Sequence, residues 1–277
     1  MLLLSLPCRL YRLKIVLRRV RAFLFSGFVR VRVRLGICPE RNLMKFARSE
    51  KYDKVFLKEN MMGPNCLKLL EIMIEGIRFP AGSRVLDLGC GKGLTSIFLA
   101  KEFGVQVFAA DLWISAAENH RRFSEAGLDG AIIPVHAEAR SLPFAEGYFD
   151  AAVCVDAYHY FGRDEDYMDE YFAPLVKKGG FIGIVVPGLT EEQPRVPAEL
   201  ERFLSPEGFD TLHSRGWWEY LLNKSKLFRL DSAADFTCGE AWDDWLESDN
   251  EYAVSDREMI KEGGKYFNFV SATGRRV

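Results

Sequence analysis

Residues 85–100, VLDLGCGKGLTSIFLA, constrain this chain more than any other stretch. Val85, Leu86 and Leu88 make an apolar run about as long as a buried parallel strand, with Asp87 set among them. Gly89, Gly91 and Gly93 then alternate, and Leu94, Ile97, Phe98 and Phe103 recur at helical spacing. A strand therefore turns through a glycine loop into a helix. Glycine serves where φ is positive, or where a ligand meets the backbone with no Cβ in the way. The helix N-terminus adds free N–H donors and a partial positive field. Such a loop suits the polar or anionic end of a nucleotide-like ligand.

Spacing narrows the ligand. A dinucleotide fingerprint, G-x-G-x-x-G, uses its third glycine to pack the helix on the strand. Counted from Gly89 that position is Leu94, and counted from Gly91 it is Ser96, so both frames fail. The stretch reads D-x-G-x-G-x-G. On these residues it resembles the first motif of the class I S-adenosylmethionine-dependent methyltransferases, with a broad layout similar to the ubiquinone/menaquinone C-methyltransferase (type 11) relatives. The resemblance implies S-adenosylmethionine as cofactor, held at Asp87, Gly89, Gly91 and Gly93.

The next motifs extend the match. Residues 105–110 read as a second strand ending at Asp111, 18 residues beyond Gly93. A carboxylate at a strand's C-terminal edge can take both ribose hydroxyls, which is the role the resemblance implies for Asp111. Leu112 and Trp113 are placed to cover an adenine face. Ser115 and Glu118 form a capping box, and Gly127 stops that helix. Residues 131–135 read as a third strand, running into HAEARSLPF. That turn resembles the family's adenine-binding turn, with Glu138 receiving the adenine amino group and the Ala139 N–H meeting the ring. The family more often has aspartate at the Glu138 position. A fourth strand, 149–155, delivers Asp156, Tyr158, His159 and Tyr160 to the edge where ligands collect in open parallel sheets. Asp156 is therefore grouped with the cofactor residues.

Residues 164–176 read as a helix, and 178–180, KGG, as the turn into a fifth strand, 181–186. Strand and helix alternate throughout. The expected fold is α/β: a doubly wound, Rossmann-like, seven-stranded and mostly parallel sheet, with helices on both faces and an inserted helical lid. The resemblance covers residues 85–187. Beyond it, 189–224 is an insertion whose helical part carries His213, Trp217, Trp218 and Tyr220. Residues 227–236 read as a strand, 240–252 as an acidic helix with Trp242 and Trp245, and 266–273 as a last strand, antiparallel in this family. Tryptophans at helical spacing serve a core, or here a lid over an aromatic or apolar substrate.

The chain divides into a basic extension, 1–42, and a methyltransferase domain, 43–277, with inserted segments at about 189–224 and 240–256. Residues 1–39 hold nine Lys/Arg and no acid, so the net charge of −2 conceals a body at −11. The extension's basic residues fall all round a helical circumference, which argues against a membrane-surface helix; it reads as a poorly ordered arm. Residues 58–65, KENMMGPN, are placed to fold over the cofactor, with Met61 and Met62 flanking the transfer site. No run of 18 apolar residues exists to span a membrane. Six scattered cysteines without a C-x-x-C pair fit reduced thiols and a cytoplasmic setting.

Methyl transfer from a sulfonium is an in-line displacement with a neutral leaving group. The site must align the reactants and exclude water, with no call for a metal or a covalent intermediate. A hydroxyl or enolisable acceptor gains from a base. His159, at the edge of strand four, is the candidate, with Tyr158 orienting the acceptor. The expected partner is a small aromatic or apolar molecule. An acidic body is a poor start for nucleic acid, and no N/D-P-P-Y follows strand four, so resemblance to amino-methylating nucleic-acid enzymes fails there. Two other readings stand beside it: a non-catalytic S-adenosylmethionine-binding protein of the same fold, and an RNA methyltransferase using the basic arm.

Overall fold

The structure, a computed structural model, describes residues 46–277. The expected basic extension, 1–42, lies outside the described residues. A short 3-10 turn, Ser49–Lys51, leads to α1 (Lys54–Asn60) and α2 (Cys66–Met73). Asp53 caps α1 by accepting from the Phe56 N–H, and Asn65 caps α2 by accepting from Leu67 and Lys68. The alternating half follows: β1 (Arg84–Leu88), α3 (Leu94–Phe103), β2 (Gln106–Asp111), α4 (Ala116–Glu125), β3 (Ile132–His136) and β4 (Phe149–Val155). The capping box predicted at Ser115 and Glu118 opens α4. After β4 come α5 (Tyr158–Phe161), β5 (Val176–Leu189), α6 (Pro206–Phe209), β6 (His213–Ser214) and α7 (Arg215–Leu222). β7 (Phe228–Phe236), α8 (Gly239–Leu246), α9 (Glu251–Gly263) and β8 (Phe267–Arg276) complete the described chain.

Seven strands follow one path, β3-β2-β1-β4-β5-β8-β7, and the two-residue β6 adds to β5. β8 runs antiparallel between β5 and β7, while the pairs from β3 to β5 are parallel. This is the doubly wound α/β sheet that the alternation predicts. Strand side chains alternate between the faces. Val85, Val107, Ala109, Val153 and Val155 join one core with α2, α3 and Trp245 of α8. Leu86, Leu88, Phe108, Ala110 and Cys154 join the other, with Tyr158, Phe172 and Trp218 of α7. The winding reverses between β1 and β4, which opens a crevice at their C-terminal ends.

Three elements differ from the sequence reading. Residues 164–176 are not one helix: a π-turn, Met168–Phe172, passes into a 3-10 turn, Ala173–Leu175, because Pro174 has no N–H to continue a ladder. The KGG segment lies inside β5 as a bulge, since Val176 already pairs with Phe149 before Phe181 pairs with Ala151. The single acidic helix at 240–252 is two helices. Asn250 turns its side chain back to accept from the Tyr252 N–H, so a new helix starts there instead of the old one continuing.

The tryptophans of the inserted segments also differ from a lid. Trp218 and Trp245 are fully buried in the two cores, and Trp242 stacks on Phe269. Trp217 stacks on His213 at 3.6 Å between centroids. Their apolar area is used within the fold.

Candidate active site

The crevice holds a cavity of about 320 Å³, within the range of small-molecule sites. Its walls come from residues within 60–66, 88–95, 110–113, 137–140 and 155–161. Four of these segments are strand ends or the turns that follow them. The first is the link between α1 and α2, the KENMMGPN stretch.

The glycine loop forms the floor. Gly89 donates from its N–H to the Ala110 carbonyl at 2.8 Å, so the loop is tied to the end of β2. Gly91 has φ 53° and faces Met62, whose Sδ would sit 3.0 Å from an added Cβ. Gly93 has φ 81° and packs its Cα face on the Phe123 ring, where a Cβ would overlap the aromatic carbons. So Gly91 keeps the floor open, while Gly93 lets α3 and α4 pack closely. Asn119, buried on α4, supports the floor by donating to the Gly91 carbonyl at 2.9 Å. Its signal in the sequence is its place four residues before Phe123, on the same face of the helix.

Asp111 is 8% exposed and lines the cavity. Its Oδ2 accepts from the Gly91 N–H at 2.8 Å, and its Oδ1 from Trp113 and Ile114 at 2.8 and 2.9 Å. One carboxylate thus positions both the glycine loop and the turn after β2. Leu112, Glu138 and Ala139 line the cavity with it. Glu138 Oε2 accepts from the Arg140 N–H at 2.8 Å, which closes the turn after β3 on itself.

Asp87 does not line the cavity. It faces away from β1 into the first core, fully buried, where its Oδ2 accepts from Thr95 and Ser96 at 2.6 Å each. Those bonds clamp β1 to the start of α3. Burial pushes its carboxyl up to about 6 against their stabilising effect, and its Oδ1 has no partner among the described residues.

Asp156 follows β4 on the cavity wall with φ 57°, the one non-glycine residue of positive φ among those described. Tyr158 and His159, the two residues expected to act on the acceptor, are corrected by their placement. Tyr158 is fully buried in the second core, and His159 is 3% exposed and stands outside the cavity wall. The short helix α5 turns both side chains inward and leaves Tyr160 facing the cavity. Burial, with Arg163 beside it, pushes His159 down to about 3, so its ring stays neutral at ordinary pH. A His159→Gln variant is expected to keep the turnover of the wild type within about threefold, far below the effect of losing a general base. Steady-state kinetics check this.

Four large apolar side chains stand exposed at the cavity: Met62, Leu112, Trp113 and Tyr160. The Trp113 and Tyr160 rings meet with centroids 5.4 Å apart, bridging the turns after β2 and β4. Lone exposed apolar residues are ordinary, but four around one opening mark a ligand site.

The comparisons with known proteins agree with this construction. Residues 85–180 match the family model described as a methyltransferase domain. Fold, glycine loop and family match agree: residues 85–180 are similar to a methyltransferase domain, on a doubly wound sheet whose glycine loop floors the cavity. The chain is 30% identical over 172 residues to a fatty-acid O-methyltransferase of Mycolicibacterium smegmatis, covering 60% of this chain and 59% of that protein. It is 30% identical over 141 residues to a sarcosine/dimethylglycine N-methyltransferase of Aphanothece halophytica, covering 50% of each. It thus spans between half and three-fifths of these relatives' lengths. Geranyl diphosphate C-methyltransferase from Streptomyces coelicolor A3(2) superposes with a TM-score of 0.62 at 17% identity, over 76% of this chain and 75% of that one, which shows the shared fold. No helix among the described residues is long and apolar enough to cross a membrane.

Proposed function

We propose that this chain transfers the methyl group of S-adenosylmethionine to a small acceptor with an apolar or aromatic body. The observation that carries the reading is the single cavity in which Asp111 both braces the open Gly91 floor and presents its carboxylate. Asp111 Oδ2, which accepts only from the Gly91 N–H, keeps a lone pair toward a ribose hydroxyl, while Oδ1 is taken up by Trp113 and Ile114. Leu112 and Trp113 offer apolar surface for an adenine ring, and the turn at Glu138 and Ala139 offers polar groups for its edge. S-adenosylmethionine, when bound, supplies a methyl group on a sulfonium whose leaving group is a neutral thioether. Met62 and Gly63, crossing above the loop, exclude water from that centre. The exposed apolar side chains around the opening suit an acceptor of the same character. In this organisation residues 43–277 form the catalytic domain.

Two measurements test the reading. Calorimetric titration of the full chain with S-adenosylhomocysteine is expected to show saturable one-to-one binding; no binding would end the proposal. Incubation with methyl-labelled S-adenosylmethionine and fractionated cell extract is expected to label a small-molecule fraction. Tight binding without transfer to any fraction would favour the non-catalytic binding protein. Label in RNA would favour the RNA methyltransferase.

A further inference from the structure

The turn after β3 is built around one carboxylate. The Ser141 N–H donates to the Glu138 carbonyl at 2.9 Å, which closes a β-turn with Ala139 and Arg140 at its centre. The peptide between those two residues is gripped at both ends. Its N–H, from Arg140, donates to Glu138 Oε2 at 2.8 Å, and its carbonyl, from Ala139, accepts from the Tyr167 hydroxyl at 3.2 Å. Tyr167 is 1% exposed, and its ring packs against Tyr158, Phe161 and Tyr171, so that hydroxyl is held from a fixed origin.

The Arg140 side chain holds the same turn from another direction. Its Nη2 donates to the Phe161 carbonyl at 3.1 Å and to Asp164 Oδ2 at 2.6 Å. The Tyr167 N–H donates to the Asp164 carbonyl at 3.1 Å, so Asp164 and Tyr167 share one turn and act as a single anchor. Held there, Arg140 Nη1 stands 3.8 Å from Glu138 Oε1, too far for a hydrogen bond and near enough to attract. Glu138 lines the cavity, and no described residue donates a hydrogen bond to its Oε1. A loose glutamate would lose rotamer freedom on meeting a ligand. Here one oxygen is tied back and the other is left open as an acceptor. An acceptor of that kind suits an N–H donor and disfavours a carbonyl oxygen.

We infer that Arg140 and Tyr167 are positioning residues that let Glu138 tell an amino-substituted purine edge from an oxo-substituted one. The inference rests on the methyl-transfer reading above, in which the adenine edge of the cofactor meets this turn. Both residues act through Glu138. Tyr167 sets the tilt of the Ala139–Arg140 peptide and, through that peptide's N–H, the direction of the carboxylate. Arg140 sets the distance between the turn and Phe161, another residue of the cavity wall.

S-adenosylhomocysteine and S-inosylhomocysteine serve as probes, since they differ at one purine substituent, an amino group in the first and an oxo group in the second. In calorimetric titration of the full chain, wild type is expected to prefer S-adenosylhomocysteine by at least about tenfold, the scale of one hydrogen bond to a charged group. Tyr167→Phe loses only the hydroxyl, and Arg140→Met keeps the length of the side chain without its donors. Each is expected to cut that preference by about threefold or more. A general loosening of the fold would weaken both probes by the same factor and leave their ratio unchanged. The Arg140 side chain is 37% exposed and Phe keeps the Tyr167 ring, so both variants are expected to fold. An unchanged ratio in either folded variant overturns the inference. Equal binding of the two probes to wild type overturns it with no variant needed, and leaves the methyl-transfer reading standing. If wild type binds neither probe, that reading falls and takes the inference with it.

Discussion

An Asp111→Ala variant is expected to lose S-adenosylhomocysteine affinity by about a hundredfold or more, and about 2–4 kcal/mol of folding stability. The two effects share one cause. The carboxylate accepts from Gly91, Trp113 and Ile114, at 2.8, 2.8 and 2.9 Å, in a position only 8% exposed. Alanine leaves three backbone donors without their acceptor and releases two turns from each other. The proposed ribose partner is lost, and so is the shape of the floor. Asp111→Asn keeps one oxygen acceptor, so it should retain the Trp113 and Ile114 bonds and recover part of the stability but little of the binding. Urea unfolding separates the first quantity and calorimetry the second. Unchanged affinity in Asp111→Ala would remove Asp111 from the cofactor site.

Asp156→Asn is expected to raise unfolding free energy by about 2–4 kcal/mol at pH 8 and to change it little near pH 4. Burial and the charge of Asp256 push the Asp156 carboxyl up from the ordinary carboxylate range to about 7. Between about pH 4 and 7 the folded chain therefore holds a proton that the unfolded chain has released. More protons bound in the folded state means that stability falls as pH rises across this window. Above it, the fold carries a poorly solvated anion. Asparagine carries no charge at any of these values and tolerates a φ of 57° as well as aspartate does. Asp87, pushed up to about 6, acts in the same direction, but it is present in both proteins and cancels from the difference. Asp150 and Asp169 are held below their usual range by hydrogen bonds, so what they contribute is lost only in acid, and it cancels as well. Urea titrations at pH 4, 6 and 8 decide the matter. A stability difference that does not vary with pH would show that Asp156 does not titrate as argued.

The parts of the site legible in the sequence are those set by backbone geometry. Spaced glycines require positive φ, and an acid directly after an apolar strand must lie at the strand's end, so Gly89, Gly91 and Asp111 fall where their spacing placed them. Side-chain direction was less legible. Asp87 alternates with Leu86 and Leu88 on β1 and so faces a core, a consequence of strand periodicity that the motif resemblance overrode. His159 and Tyr160 are neighbours in sequence, but the single turn of α5 decides which one reaches the cavity. Contacts between remote segments left no local trace. Nothing near Asn65 announces the Asp244 carboxylate that accepts from its side chain at 2.7 Å, and nothing near Trp245 distinguishes a core tryptophan from a lid until the opposing face is assembled.

The position of β8 has a consequence for how the chain is made. β7 pairs with β8 and not with β5, although β5 precedes it in the chain. During synthesis β7 therefore emerges before its native partner strand, and waits for residues 267–276 to insert beside β5. Until then the β5 edge and both edges of β7 are open to pairing with other chains. A ribosome stalled before residue 267 should thus hold a nascent chain that recruits chaperones and resists assembly. One stalled far enough beyond residue 276 for β8 to clear the exit tunnel should become protease-resistant in a single step.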